Sequence, residues 1–171
     1  MRATRFLLCG LALTACGSDV TAPSSAPELA AGGIPPHVAS ASGAGHFTNP
    51  LNGVFVRDNF TARSDQFGVT GEYQRIAGAA IIHGTITCLT VVGNEAWIGG
   101  TIDRAAFTPV GIGSDFVFRV IDNGEGGVTK DVFGRVGFNL PAGSAVAFCG
   151  SGVDPVPLPL NERDGNVQVR G

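Results

Sequence analysis

The stretch 79–104, AAIIHGTITCLTVVGNEAWIGGTIDR, determines the fold. Apolar and polar residues alternate on both sides of Gly93-Asn94, two residues that tolerate the positive φ of a tight hairpin turn. The apolar face before the turn is predicted to carry the even positions Ile82, Ile86, Cys88 and Val92. The return strand has Ala96, Ile98, Gly100 and Ile102 on one side and Glu95, Trp97, Thr101 and Asp103 on the other. The pattern predicts two long antiparallel strands joined by a two-residue turn.

Shorter segments of the same kind lie on either side of this hairpin. The further strands are predicted at residues 45–48, 54–63, 67–74, 115–121, 128–138, 145–149 and 166–169. Asn, Asp, Gly and Pro separate these segments, and residues 107–113 are predicted to be a connection. About eight short strands in sequence predict an all-β domain, a single antiparallel β-barrel or β-sandwich.

Length and charge limit the possible functions. The 171 residues allow one domain once its extensions are removed. The 14 acidic and 11 basic residues are nearly balanced, and the basic residues form no run. Because phosphate binding requires concentrated Lys and Arg, nucleic acid is excluded as an expected partner.

The first residues have the composition of an export signal. Arg2 and Arg5 precede the apolar run 6–13, which is too short to cross a bilayer. The segment Leu13-Thr14-Ala15-Cys16 resembles the lipobox of bacterial lipoprotein signal peptides. The resemblance implies removal of residues 1–15, lipidation of Cys16 and, from the following Gly17, sorting to the outer membrane. The alternative is an ordinary signal peptide cut near Ala15, with an incidental cysteine after it.

A spacer is predicted after the signal. Residues 16–43 are mostly Ala, Ser, Pro and Gly and contain too little apolar surface to form a core. A flexible coil of about 25 residues spans on the order of 25–30 Å. The sequence therefore predicts a lipidated Cys16 on a flexible tether, followed by a β-domain at residues 44–171.

The two cysteines of the domain are Cys88 and Cys149. Two cysteines in an exported domain most often form a disulfide. A disulfide that closes a loop of roughly 60 residues would restrict the unfolded chain and so stabilise the fold by about 4 kcal/mol. The alternative, a thiolate metal site, lacks a second pair of ligands at usable spacing. A disulfide is therefore expected.

Several segments together resemble an uncharacterised family of small exported bacterial β-domains. They are residues 45–47, 83–89, 92–96, 98–100 and 118–126, within a similarity that covers residues 43–150. The resemblance implies one β-domain and brings no activity, cofactor or ligand with it.

Metal chemistry has little support in the sequence. The segment GHFTNPLNG at 45–53 resembles part of the copper–zinc superoxide dismutases, but His37, His46 and His83 form no His-x-His pair. The segment 122–125, with Asp115 or Asp131, offers oxygens to Ca²⁺, yet the spacing of a calcium loop is absent. We expect neither a metal nor a cofactor.

Catalytic patterns are equally sparse. Ser151 lies in CGSGV rather than in a G-x-S-x-G turn, and spacing assigns it no partner. The carboxylates Glu72, Glu95 and Asp103 fall on predicted outer faces of strands, where charged residues usually face water. No catalytic residue is predicted.

Trp97 and His83 are the candidate ligand-binding residues. Both lie on the polar face of the central hairpin, Trp97 opposite Thr85 or Thr87. An exposed aromatic on a strand can anchor a glycan or a protein, although a covering loop would remove it from solvent. The leading hypothesis is a non-enzymatic binding module on an envelope anchor, with an envelope glycan or protein as partner. The alternatives are a structural spacer and a small hydrolase with an unrecognised site.

Overall fold

The computed structural model describes residues 38–124, 129–152, 160–162 and 164–171, which form ten strands and one helix. The strands are β1 Ala39–Thr48, β2 Phe55–Asp65, β3 Gly68–Ala77, β4 Ala80–Val92, β5 Glu95–Ala106, β6 Asp115–Ile121, β7 Val132–Gly134, β8 Gly137–Leu140, β9 Leu160–Glu162 and β10 Asp164–Arg170; the helix is α1 Ser144–Ser151. The predicted signal peptide 1–15, Cys16, the tether as far as residue 37 and Glu125 lie outside the described residues.

The strands follow one another around a single sheet. From β1 to β6 each strand pairs antiparallel with the next. β7 and β8 both pair with β6, so together they fill one strand position. β9 pairs with β7, and β10 pairs with β1. These two strands together fill the last position, between β7 and β1. The sheet thus has eight strand positions and closes nearly completely, so the predicted all-β antiparallel fold is confirmed as a barrel.

The antiparallel order places alternate connections at opposite ends of the barrel. The connections 49–54, 78–79 and 107–114 share one end, here called the upper end. The turns 66–67 and 93–94 share the other, the lower end. Val38, where the described chain begins, leads into β1 at the lower end.

The central hairpin is confirmed, with one correction to its faces. β4 and β5 pair across the turn at Gly93, whose φ is 62°. Their register shifts by one residue between Ile86 and Cys88. Since an extra residue in one strand reverses the faces beyond it, Cys88 lies outside and Leu89 inside the barrel. The predicted apolar row of even positions therefore ends at Ile86.

Aromatic side chains fill the interior. The principal ones are Phe60, Tyr73, Phe116, Phe118 and Phe133, all buried. Tyr73 lies 4.9 Å from Phe116 and Phe118 lies 5.1 Å from Phe133, centroid to centroid. Gly84 leaves room for them, because a Cβ there would stand 2.5 Å from the Phe116 ring. Aromatic rings in mutual contact therefore form the core of the barrel in the described part of the chain.

The segment predicted as a strand at 145–149 is the helix α1. Its buried residues Ala145, Phe148 and Cys149 stand at i, i+3 and i+4, the spacing of one helical face. The Ala145 N–H donates to Asp115 Oδ2 at 3.0 Å, which satisfies a free donor at the start of the helix. A short apolar run fits either a strand or a helix, so periodicity alone gave the wrong element here.

The helix packs on the outer face of the barrel, over β4, β5 and β6. A disulfide between Cys88 and Cys149, with Cα atoms 6.1 Å apart, joins the helix to β4 and confirms the expected pair. Gly99 permits the close approach, since a Cβ there would lie 2.9 Å from both Ala145 Cβ and Cys88 Sγ.

The first strand begins earlier than the sequence predicts. β1 starts at Ala39, whereas the sequence predicts a strand from residue 45 and a tether up to residue 43. Small residues such as Ala41 and Gly43 belong to the sheet because β2 and β10 flank them on both edges. Composition alone does not reveal such a strand, since its stability comes from its two neighbours.

Candidate functional site: a polar groove on the outer face

A groove of about 410 Å³ crosses the outer face of strands β1 to β4. It is lined by Ser42, Gly43, Asn59, Phe60, Thr61, Glu72, Tyr73, Gln74 and His83. Seven of these residues carry side chains that donate or accept hydrogen bonds, and all of them except Tyr73 point outward. The groove is therefore a polar surface beside a barrel whose interior is filled.

The floor of the groove is main chain. Gly43 pairs with Phe60, and Phe60 pairs with Tyr73, in one row across three strands. Phe60 and Tyr73 point into the core, so these residues present their backbone outward. The groove forms because this row of inward-pointing residues lies between two rows of outward-pointing side chains.

Two rows of outward side chains form the walls. In one wall Asn59 pairs with Gln74 and Gln74 with His83, and Gln74 Nε2 lies 3.4 Å from His83 Nε2. In the other wall Ser42 pairs with Thr61 and Thr61 with Glu72. The walls together offer amide, hydroxyl, imidazole and carboxylate groups at fixed positions on rigid strands.

A buried ion pair lies beneath the floor. Asp58, fully buried, accepts hydrogen bonds from Tyr73 Oη at 2.7 Å, Arg75 Nε at 2.7 Å and Arg75 Nη2 at 2.9 Å. Burial opposes the charge on Arg75, but the neighbouring Tyr73 and Asp58 oxygens outweigh it and raise the pKa of Arg75 above its ordinary value. The Arg75 guanidinium also lies 4.8 Å from the centre of the Phe138 ring. This network ties β2 to β3 directly below the groove.

The structure separates the two predicted ligand-binding residues. His83 is half-buried in the groove wall. Trp97 lies on the outer face but within the cluster under α1, where it is only 8% exposed. The register counted from the Gly93-Asn94 turn pairs Trp97 with Thr90, in place of the predicted Thr85 or Thr87. Trp97 is therefore covered and does not present an exposed aromatic to a ligand.

Arg119 and Glu95 hold the indole of Trp97 on the outer face of the barrel. Arg119, its partner on β6, lies 5.2 Å from the centre of the indole ring and donates to Glu95 at 2.6 Å. In the part of the chain that the structure describes, Trp97 Nε1 and Arg119 Nε are buried without a hydrogen-bond partner. The stacking and the ion pair fix the indole under the helix.

The carboxylates considered for calcium hold the fold together. Asp131 Oδ2 accepts the Val167 N–H at 2.7 Å, and Asp122 Oδ2 accepts the Val169 N–H at 2.9 Å. Both bonds lie on the edge of β10 where the sheet closes. Asp115 accepts from the helix α1, as described above. Among the described residues no three His, Cys, Asp or Glu side chains come together as a metal site requires.

The remaining catalytic candidates also have local partners. Ser151 Oγ donates to the Phe148 carbonyl at 3.4 Å. Glu95 pairs with Arg119, and Asp103 accepts from Thr85 at 2.9 Å. Only Glu72 stands in the groove. The sequence did not single out Asn59 or Gln74, although both occupy outward positions on strands it predicted.

Comparison with protein-family models, with curated proteins and with solved structures finds no match for this chain. Within the described residues no helix is both long enough and apolar enough to span a bilayer. The features of the chain that bear on its function are therefore the groove and the N-terminal sequence.

Proposed function

We propose that this chain is a lipid-anchored protein of the bacterial cell envelope whose β-domain is a non-enzymatic binding module. Its binding face is the outer groove. The observation that carries the proposal is the contrast between a core filled with aromatic rings and an open polar groove of about 410 Å³ on four adjacent strands. A filled barrel leaves the outer surface as the place for a ligand.

The chemistry of the walls favours an envelope glycan. Asn59, Gln74 and Glu72 provide amide and carboxylate groups, which form hydrogen bonds with several neighbouring hydroxyls. The groove runs across the strands and is open to solvent, so it suits an extended chain that enters and leaves it. It does not suit a small molecule that must be enclosed.

The anchor is proposed from the sequence. Lipidation of Cys16 would supply several acyl chains, and several chains hold a protein on a membrane far better than one. Mass spectrometry of the mature N-terminus should show cleavage before Cys16 and added fatty acid. Cys16→Ser should release the chain from outer membranes; a mature N-terminus without lipid would overturn the anchor but not the groove.

Co-sedimentation with purified peptidoglycan sacculi tests the binding face. The double variant N59A/Q74A removes two hydrogen-bonding side chains from one wall, and we expect affinity to fall roughly tenfold. The matched control is Q66A, a glutamine exposed in the turn at the lower end. Equal binding by N59A/Q74A and the parent would refute the groove as the binding face. No binding by the parent would favour the spacer function.

One observation keeps a hydrolase as the second candidate. Glu72 faces Thr85 in the register, so His83 is its diagonal neighbour, and diagonal neighbours of an antiparallel pair lie roughly 7–8 Å apart. A carboxylate and an imidazole at this separation can act on the same bound group. Release of reducing ends from sacculi by the parent, lost in E72Q, would establish hydrolysis. Binding without such release supports the binding module.

A further inference from the structure

We propose that the groove continues across β5 and that its β5 end selects a sugar unit with an acetamido group, so that the ligand is an N-acetylated glycan. This β5 end consists of Asp103 and Arg104 on β5, with Glu72 and His83 beside them. The inference rests on the proposed function, because it names the ligand class of the same groove. It can fail while the groove remains the binding face.

A β-bulge in β5 brings two charged residues to the outer face. The register pairs His83 with Arg104. It pairs the next residue of β4, Gly84, with Ile102, so Asp103 is an extra residue in β5. Ile102 points into the core, and strict alternation would turn Arg104 inward as well. With the extra residue in place, Asp103 and Arg104 are both exposed. Bulges of this kind often re-aim a side chain beside a functional site.

The bulge prolongs both walls of the groove. Arg104 faces His83, the last residue of one wall. Asp103 Oδ2 accepts the Thr85 hydroxyl at 2.9 Å, and Thr85 faces Glu72, the last residue of the other wall. The inward-pointing row that forms the floor also continues into β5. The two walls therefore end on opposite charges, a guanidinium on one side and carboxylates on the other.

These charges are available to a ligand. Among the described residues no ion pair joins Arg104 to a carboxylate, and its side chain is exposed. The hydroxyl of Thr85 holds the Asp103 carboxylate on the side of Glu72. Hydrogen bonds to a charged donor or acceptor are roughly twice as strong as those between neutral groups. The β5 end can therefore contribute more to ligand selection than the neutral amides and hydroxyls of the other strands.

Opposite charges on the two walls restrict the class of ligand. A carboxylate would be repelled by Glu72 and Asp103, and an ammonium group would be repelled by Arg104. The two outward rows of a strand stand about 7 Å apart, so a group that bonds to both walls needs a donor and an acceptor on opposite sides. The C=O and N–H of a trans amide point in opposite directions. The acetamido group of a sugar meets this requirement, whereas a hydroxyl has a single oxygen and reaches one wall.

The composition of the walls favours a glycan over a peptide. A peptide chain also carries amides, but an extended peptide is selected through pockets for its alternate side chains. The walls of this groove consist of polar side chains, which match the hydroxyls of successive sugar rings. They are Ser42, Asn59, Thr61, Glu72, Gln74 and His83.

Isothermal titration calorimetry of the full chain with chitohexaose and cellohexaose tests the inference. The two sugars share a backbone and differ in one substituent of each ring, an acetamido group in place of a hydroxyl. We expect the parent to bind chitohexaose roughly tenfold more tightly, and D103A/R104A to bind both with nearly equal affinity. The matched control D65N/R135A removes one charge of each sign outside the groove, and its Asn side chain keeps an oxygen for the Phe67 N–H. This control should keep the preference.

A lysine variant separates charge from misfolding. R104K keeps a cationic donor and should retain part of the preference that D103A/R104A loses, with circular dichroism spectra like that of the parent.

Three outcomes would overturn the inference. The first is equal affinity of the parent for the two hexasaccharides, and the second is a preference that survives in D103A/R104A. The third is tighter binding of a hexapeptide of alternating serine and glycine than of chitohexaose, which would identify a peptide ligand. None of these removes the groove as the binding face, which N59A/Q74A tests on sacculi. Failure of the parent to sediment with sacculi would instead be the failure of the proposed function.

Discussion

Replacing Asp58 with alanine should destabilise the barrel more than any other single change in a polar residue below the groove. Asp58 is fully buried and accepts hydrogen bonds from Tyr73 Oη and from Nε and Nη2 of Arg75. Removing one partner of a buried pair leaves an uncompensated charge and costs about 3–5 kcal/mol. The Arg75 side chain remains 15% exposed, and water can therefore solvate part of its charge. We expect a loss near the lower limit, about 3 kcal/mol.

The triple replacement D58L/Y73F/R75M separates the unpaired charge from the loss of the network itself. Tyr73 is included because its buried Oη donates to Asp58 and would otherwise lose this acceptor. Apolar residues of similar size leave no buried charge, and such replacements are often neutral or stabilising. We therefore expect D58L/Y73F/R75M to lie within about 1 kcal/mol of the parent. D103A, which removes an exposed carboxylate that accepts one bond from Thr85, serves as the surface control and should change stability by less than about 0.5 kcal/mol.

The assay is equilibrium unfolding in urea, followed by circular dichroism and by the emission of Trp97, with the disulfide intact. Coincident transitions by the two probes would justify a two-state free energy. A free energy of unfolding for D58A within 1 kcal/mol of the parent would contradict the buried charge, and so would a loss for D58L/Y73F/R75M as large as that of D58A.

Two further changes concern the packing of α1 on the barrel. The double variant C88S/C149S should lose about 4 kcal/mol of unfolding free energy, because the unfolded chain is no longer restricted by the loop between Cys88 and Cys149; an unchanged urea midpoint after reduction of the parent would contradict this. Gly99→Ala should cost about 1–3 kcal/mol, because its Cβ would lie 2.9 Å from that of Ala145. Its control is Gly150→Ala, with open space around the added methyl, and equal melting temperatures for the two variants would argue against the close helix contact.

The main features of the fold can be predicted from the sequence because they depend on residues that are close together in the chain. The alternation around Gly93-Asn94 predicts the central hairpin, and β6 has the predicted bounds, 115–121. The disulfide was predicted from the number of cysteines in an exported chain. Each of these signals is contained in a few residues or in a count, and tertiary context did not overrule it.

The missed features depend on contacts between distant residues. α1 is favoured as a helix because Asp115 accepts the Ala145 N–H in its first turn and because Gly99 leaves room beneath it. The bulge in β4 changes the faces beyond Ile86, which alternation alone does not show. The burial of Asp58 could have been predicted, because it lies between Val56 and Phe60 at an inward position of β2. Its partner became evident only once the register placed Arg75 opposite it.

The groove was missed for a related reason. Its walls come from four strands, and their side chains become neighbours only when the strands are in register. Among its residues only His83 was predicted as a binding residue, from its polar face. Trp97 was predicted from the same reasoning and is covered, because sequence does not show that α1 lies over β5.

Nuclear magnetic resonance of the full chain with soluble peptidoglycan glycan strands would locate the binding face. The groove predicts that the side-chain amides of Asn59 and Gln74 and the ring of His83 shift on titration, while resonances of Phe116 in the core and Trp97 under α1 remain in place. Shifts confined to the core or to the helix side, with the groove amides unmoved, would contradict the assignment of the groove as the working surface of this barrel.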